Sequence, residues 1–75
     1  MGVGMKLPQC VEVALKMYWN GTDEVLTCKD PEYPGVWAVR ILVGGGEDPL
    51  DLLVNEWSED PEEVEWLTWP PERRQ

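Results

Sequence analysis

Nine carboxylates crowd one stretch of the chain: Glu47, Asp48, Asp51, Glu56, Glu59, Asp60, Glu62, Glu63 and Glu65. Acids at that density serve acid–base catalysis, cation binding or the imitation of a polyanion. Catalysis needs one carboxyl whose pKa is lifted toward neutrality, as by an apolar wall. The adjacent Glu62 and Glu63 have no identifiable apolar pocket residue beside them, so they read as a solvated charged face. Calcium binding in an EF-hand needs alternating Asp or Asn ending in Glu, a spacing the sequence lacks. Histidine is absent and the two cysteines, Cys10 and Cys28, are not spaced as a zinc site. The GGGEDP stretch from Gly44 to Pro49 has a phosphate loop's glycines, but carboxylates stand where cations are needed, so it reads as a turn. No catalytic residue, metal or cofactor is expected, and binding remains.

The charge distribution suggests what is bound. Fifteen acids face six bases, for a net charge of −9. Residues 1–40 hold Glu12, Asp23, Glu24, Asp30 and Glu32 against Lys6, Lys16, Lys29 and Arg40, whereas residues 41–72 hold ten acids and no base. Direct nucleic-acid binding needs cations to neutralise phosphates. A protein partner with a basic groove fits better. Duplex DNA carries about one negative charge per 1.7 Å of axis. A folded chain holding carboxylates at similar density can occupy a DNA-binding groove, with little ordering cost because its charges sit on a rigid frame. Trp57 or Trp66 beside the acids would supply an apolar anchor. Acids that merely keep a Trp-rich domain soluble are the plainer reading.

The elements that would carry these residues form one small domain over 10–70, with a flexible lead-in over 1–9 and a tail over 71–75. Five Trp and no Phe suit a small core, since each indole buries a large area, although some could form an exposed contact surface. Residues 10–19, CVEVALKMYW, alternate apolar and polar positions, which predicts a half-buried strand. Asn20-Gly21 then predicts a hairpin turn. Asp23–Cys28 returns as a second strand, Asp30–Gly35 is a Pro-rich loop, and Val36–Val43 is a third, central strand ended by Gly44, Gly45 and Gly46. Asp48-Pro49 has the chemistry of a helix start, and Leu50, Leu53, Val54 and Trp57 follow at helical spacing. A strand over Leu52–Trp57 is the alternative. Asp60-Pro61-Glu62-Glu63 repeats the cap chemistry, yet VEWLTW also alternates like a strand. The expected fold is α+β: an antiparallel meander of three to five strands with an acidic C-terminal helix or hairpin.

On that hairpin, Cys10 and Cys28 cannot bridge. A two-residue turn places them on opposite faces, and a three-residue loop leaves them about 13 Å apart, beyond the roughly 7 Å a disulfide allows. Two free thiols, and no signal-peptide pattern at the N-terminus, point to a reducing, cytoplasmic setting. No apolar run approaches the roughly 20 residues of a membrane span.

Thr22-Asp23-Glu24-Val25, Leu26-Thr27, Asp30-Pro31-Glu32-Tyr33, Trp37-Ala38 and Ile41 resemble the central part of the phage uracil-DNA glycosylase inhibitor family. There a strand ends in Leu-Thr, a loop carries Pro-Glu-Tyr and the next strand opens with Trp-Ala. The resemblance covers residues 10–43 and includes a counterpart of the expected Val11–Trp19 strand. It implies an acidic DNA mimic on an antiparallel sheet with helices, acting as a stoichiometric inhibitor in the enzyme's DNA groove. It adds Asp30, Glu32 and Tyr33 to the candidate contact residues. The chain departs from the family in two ways. No Glu-Ser-Ile strand is present, residues 1–9 holding no acid, and the helices before the sheet are missing, with the acidic, Trp-rich C-terminal half in their place. Blocking a nuclease or a CRISPR effector, another phage counter-defence role, would suit the same charges. A rival resemblance is to Tudor and agenet modules, small β-barrels that bind cationic side chains in an aromatic cage. Tyr33, Trp37, Trp57 and Trp66, with Glu59 or Asp60, would form it and take a methylated or basic peptide.

Overall fold

The computed structural model describes residues 7–45 and 47–71, Glu59 by its backbone alone. Among the described residues one helix, α1 (Gln9–Tyr18), precedes four strands: β1 (Glu24–Lys29), β2 (Val36–Leu42), β3 (Leu50–Asn55) and β4 (Ser58–Val64). The strands form one antiparallel sheet in the order β1-β2-β3-β4. The architecture is a small α+β meander.

The first correction concerns residues 10–19, expected as a strand and found as α1. The segment carries two periodicities at once. Val11, Ala14, Leu15 and Tyr18 lie at i, i+3, i+4 and i+7, a helical stripe that meets the sheet. Val11 and Ala14 are fully buried, whereas Met17, inward-facing in the strand reading, is 60% exposed. The sheet decides the matter: Val39, Ile41, Leu52 and Val54 line one of its faces and need a cover that a strand could not provide. Pro8 starts the helix, its carbonyl accepting from the Val11 and Glu12 N–H groups. Glu12 in the first turn and Lys16 in the last complement the helix dipole. A helix therefore does stand before the sheet, which corrects the expectation that none does.

Asn20-Gly21 consequently makes no hairpin; it links helix to strand. The Asn20 Oδ1 accepts from the Thr22 and Asp23 N–H groups at 2.8 and 3.0 Å, and Gly21 takes a φ of +92°. Of the expected lead-in, residues 1–6 lie outside the described residues, Leu7 packs on the core and Gln9 opens α1. Residues 72–75 of the tail, and Gly46, also lie outside them.

The second correction concerns the acidic half. No helix follows Asp48-Pro49; Leu50–Asn55 is β3, and a two-residue turn at Glu56-Trp57 leads to β4, so the hairpin alternative forms. Strand pairing overrides the helical spacing because β2, apolar except for Arg40, needs a partner on each side. Leu50, Leu52 and Val54 face α1, while Asp51 stands directly opposite Arg40 on the other face. Nor does Asp60 begin a helix. It lies inside β4, which ends at Val64, so Trp66–Trp69 leave the sheet.

Beyond β4 the chain forms a strap over the face away from α1. The Arg40 guanidinium donates to the Trp66 carbonyl at 2.6 Å and lies 5.5 Å from the centre of the Trp69 ring. Ala38, on the same face as Arg40, is fully buried. No Trp is fully buried: Trp37, Trp66 and Trp69 are half-buried, and Trp19 and Trp57 are exposed. The core is built instead from Val, Ile, Leu and Ala.

Candidate functional site: an acidic sheet edge

The meander places β4 at one edge of the sheet. Its sequence SEDPEEV is unlike that of any neighbouring strand. Pairing pins it through Asp51–Val64, Leu52–Glu63, Leu53–Glu62 and Asn55–Ser58, with a bulge between the last two pairs. Two further devices shape that irregular turn end. The Asn55 Oδ1 accepts from the Trp57 N–H at 2.7 Å, and the Ser58 Oγ accepts from the Asp60 N–H at 3.2 Å. Pro61 occupies the bulge, where its missing N–H costs no ladder bond.

Along this edge Asp60, Glu62 and Glu63 are exposed, with Glu56 in the turn before it and Glu65 just after it. The Glu59 backbone belongs to β4; its side chain lies outside the described part. Glu47 and Asp48 are exposed in the β2–β3 connection, and Asp48 shares a surface depression with Pro49, Val64 and Glu65. The acids thus run from the β3–β4 turn, along β4, to the far end of the sheet. Among the described residues, only Arg40 and Asp51 form an ion pair within 4.0 Å. Adjacent unpaired carboxylates about 7 Å apart repel by roughly 0.6 kcal/mol in water. The folded frame holds them together nonetheless.

Not every predicted contact residue joins this array. Asp51 is 6% exposed and fully engaged: Oδ1 accepts from Arg40 Nε at 2.7 Å, and Oδ2 accepts from Arg40 Nη2 at 3.0 Å and from the Trp66 N–H at 2.9 Å. Its carboxylate raises the Arg40 pKa above the ordinary value. Asp51 therefore organises the interior and cannot face a partner. Trp66 is held by both its backbone groups and is half-buried, so it is no free anchor. Its indole N–H is buried without a hydrogen-bond partner among the described residues. Asp30 shapes its own loop, Oδ1 accepting from the Glu32 and Tyr33 N–H groups. With Glu32 it lines a depression against Glu65, Trp66 and Leu67, which brings the β1–β2 loop to the strap.

Two aromatic residues do reach solvent at one end of the sheet. Tyr33 is 55% and Trp57 74% exposed. The Trp57 ring lies on Gly35, where an added Cβ would come within 2.7 Å of it, and Gly35 has a φ of +79°. Trp37 and Trp66, by contrast, sit on opposite faces of the sheet, with the Lys29 ammonium 5.8 Å from the Trp37 ring centre. The four aromatics therefore do not converge on one cage. The sheet is open, with two edge strands, and forms no barrel among the described residues.

Sequence reasoning missed the Arg40–Asp51–Trp66 link and Trp69. A signal for the first was present: the one charge in the apolar run VWAVRIL needs a buried acid on a neighbouring strand. No group of His, Cys, Asp and Glu among the described residues is placed to hold a metal ion. Cys10 in α1 and Cys28 in β1 are both free thiols. Burial raises both pKa values, helped by Glu56 at Cys10 and by Asp30 at Cys28. No described helix is long and apolar enough to cross a membrane. No family model matches the chain, and no curated protein or solved structure matches it either.

Proposed function

We propose that this protein is a non-enzymatic, acidic DNA mimic that blocks the DNA-binding groove of a DNA-processing protein, with uracil-DNA glycosylase as the first target to test. One observation carries this reading: the row of solvent-facing acids fixed on β4 and its flanking turns, outside any ion pair among the described residues. Glu59, Asp60, Glu62, Glu63 and Glu65 occupy seven consecutive positions. Glu62 and Glu63 face opposite sides of the sheet, so acids sharing one face stand two residues, or about 7 Å, apart. One strand of duplex DNA presents a phosphate about every 3.4 Å of axis. Carboxylates held at about every second phosphate position would engage Lys and Arg side chains built to hold phosphates.

The mechanism is competition. The sheet pre-orders the charges, so binding costs little conformational entropy. Exposed Trp57 at the end of the row would add an apolar contact. Opposite net charges would speed encounter and make it salt-dependent.

The test is a uracil-excision assay in which a bacterial uracil-DNA glycosylase is titrated with the protein at two salt concentrations. Stoichiometric inhibition that weakens with salt and with competing DNA is expected. Undiminished excision at micromolar protein would remove this target.

A further inference from the structure

The sheet has a second edge, and nothing on it resembles β4. β1 reads EVLTCK, with neither proline nor bulge, and among the described residues it is paired on one side only, in unbroken register with β2. Its outward groups follow from the ladder. The Asp30 N–H donates to the Val36 carbonyl at 2.8 Å, one step beyond the Lys29–Trp37 pair. Bonded and non-bonded pairs alternate in an antiparallel ladder. Glu24, Leu26 and Cys28 therefore point their backbone groups at β2, while Val25, Thr27 and Lys29 point theirs away from the sheet. That leaves a regular row of donors and acceptors, beside the half-buried side chains of Val25 and Leu26.

We infer that β1 pairs antiparallel with β1 of a second copy of this chain, across a two-fold axis through Leu26, joining two sheets into one of eight strands. Three observations favour a second copy as the occupant. First, the register is self-complementary. A two-fold perpendicular to the sheet pairs each residue with one of the same parity. With Leu26 opposite Leu26, Val25 and Thr27 become reciprocal hydrogen-bonded pairs. Asp23, just before β1, then stands opposite Lys29 at both ends; its carbonyl accepts from the Trp19 indole at 2.6 Å and its carboxylate from Asn20 at 3.2 Å, so what each end adds is a pairing of opposite charges. A register one step along, centred on Thr27, would set Glu24 against Asp30 instead.

Second, α1 packs against β3 and β4, so it leaves the β1 side of the sheet free to extend. Third, the densest block of like charge lies far away, leaving Asp23, Glu24 and Asp30 with Lys29 near the axis. Across eight strands spaced about 4.8 Å the two β4 edges stand roughly 34 Å apart, several times the Debye length of about 8 Å at physiological salt. This pairing does not depend on what the acidic edge binds.

Sedimentation equilibrium of the full chain from low micromolar to about 100 µM gives the mass, and a cysteine probe gives the register. Residues facing each other in a non-hydrogen-bonded pair have Cα atoms about 4.5 Å apart, within disulfide range. Leu26→Cys combined with Cys28→Ser is expected to form a disulfide-linked dimer under air oxidation. Thr27→Pro, which removes an outward N–H and leaves the β2 ladder intact, is expected to be monomeric. A wild-type chain that stays monomeric at 100 µM overturns the inference, including where it captures a basic extended peptide instead. A dimer that survives in a folded Thr27→Pro variant, or one that the Leu26→Cys thiol does not cross-link, overturns the β1 register. If Thr27→Pro does not fold, the wild-type mass and the cross-link decide.

Discussion

The two edges of one sheet face the same physical problem and meet it in opposite ways. An edge strand exposes unpaired N–H and C=O groups that invite another strand. β4 answers with a proline, a bulge and a run of acids; β1 has none of these. Strand addition is blocked at β4, yet the same acids form a charged strip that a basic groove could grip. At β1 the backbone itself is on offer. On the proposals above, one edge makes electrostatic contact and the other hydrogen-bonded contact, with β2 and β3 between them.

That division breaks most completely if the interior link fails. Asp51→Ala would leave the half-buried Arg40 guanidinium without its carboxylate and release the Trp66 N–H. Removing one partner of a fully buried pair costs about 3–5 kcal/mol; with Arg40 half-buried the loss should fall at or below the low end, still visible as a clear drop in the urea or thermal midpoint. Replacing both partners, as Arg40→Met with Asp51→Leu, is expected to recover much of that loss. The strap would still lose its Trp66 contacts, so its backbone amides should exchange faster.

Neutralising β4 sharpens the contrast. Glu56→Gln, Asp60→Asn, Glu62→Gln, Glu63→Gln and Glu65→Gln together remove five exposed charges. At roughly 0.5–1 kcal/mol per exposed pair, affinity for a basic-grooved partner should fall by about 100-fold or more. The fold itself should gain stability, most at low salt, because self-repulsion is relieved. Sedimentation of this variant should show β1 pairing undiminished.

Gly35→Ala tests the end of the sheet where Trp57 sits. A Cβ there meets the indole ring at 2.7 Å and strains a φ of +79°. A loss of about 1–2 kcal/mol is expected, together with a shift in tryptophan emission as Trp57 is displaced. A smaller effect concerns pH. Cys10 and Cys28 have folded pKa values raised above 9.0, so the folded state holds their protons more tightly than the unfolded state. Their contribution to stability is complete below pH 9 and is lost as pH rises through the folded values. The melting temperature should decline there, and less so in Cys10→Ala.

β1, the loop after it and β2 were legible because each carries one dominant signal: β-branched runs, or Pro and Gly. The segment from Cys10 to Trp19 was not, because its apolar residues satisfy periods of two and of 3.6 together. Only the need to cover Val39 and Leu52 selects the helix, and that need lies in residues distant in sequence. The same holds at Leu50–Val54, where helical spacing lost to the neighbouring strand. Charge counting found the exposed acids along β4 but could not separate Asp51 from them. Burial was set by Arg40, eleven residues earlier. Trp66 reads as a free anchor in the sequence for the same reason, since its partners are Arg40 and Asp51.

The most direct measurement is the affinity of uracil-DNA glycosylase for the wild-type chain and for the five-amide β4 variant, at two salt concentrations. Tight wild-type binding that weakens with salt, and a variant weaker by about 100-fold with a flatter salt response, is the expected result. Equal affinity of the two chains, or binding indifferent to salt, would contradict the assignment of the acidic edge as the contact surface.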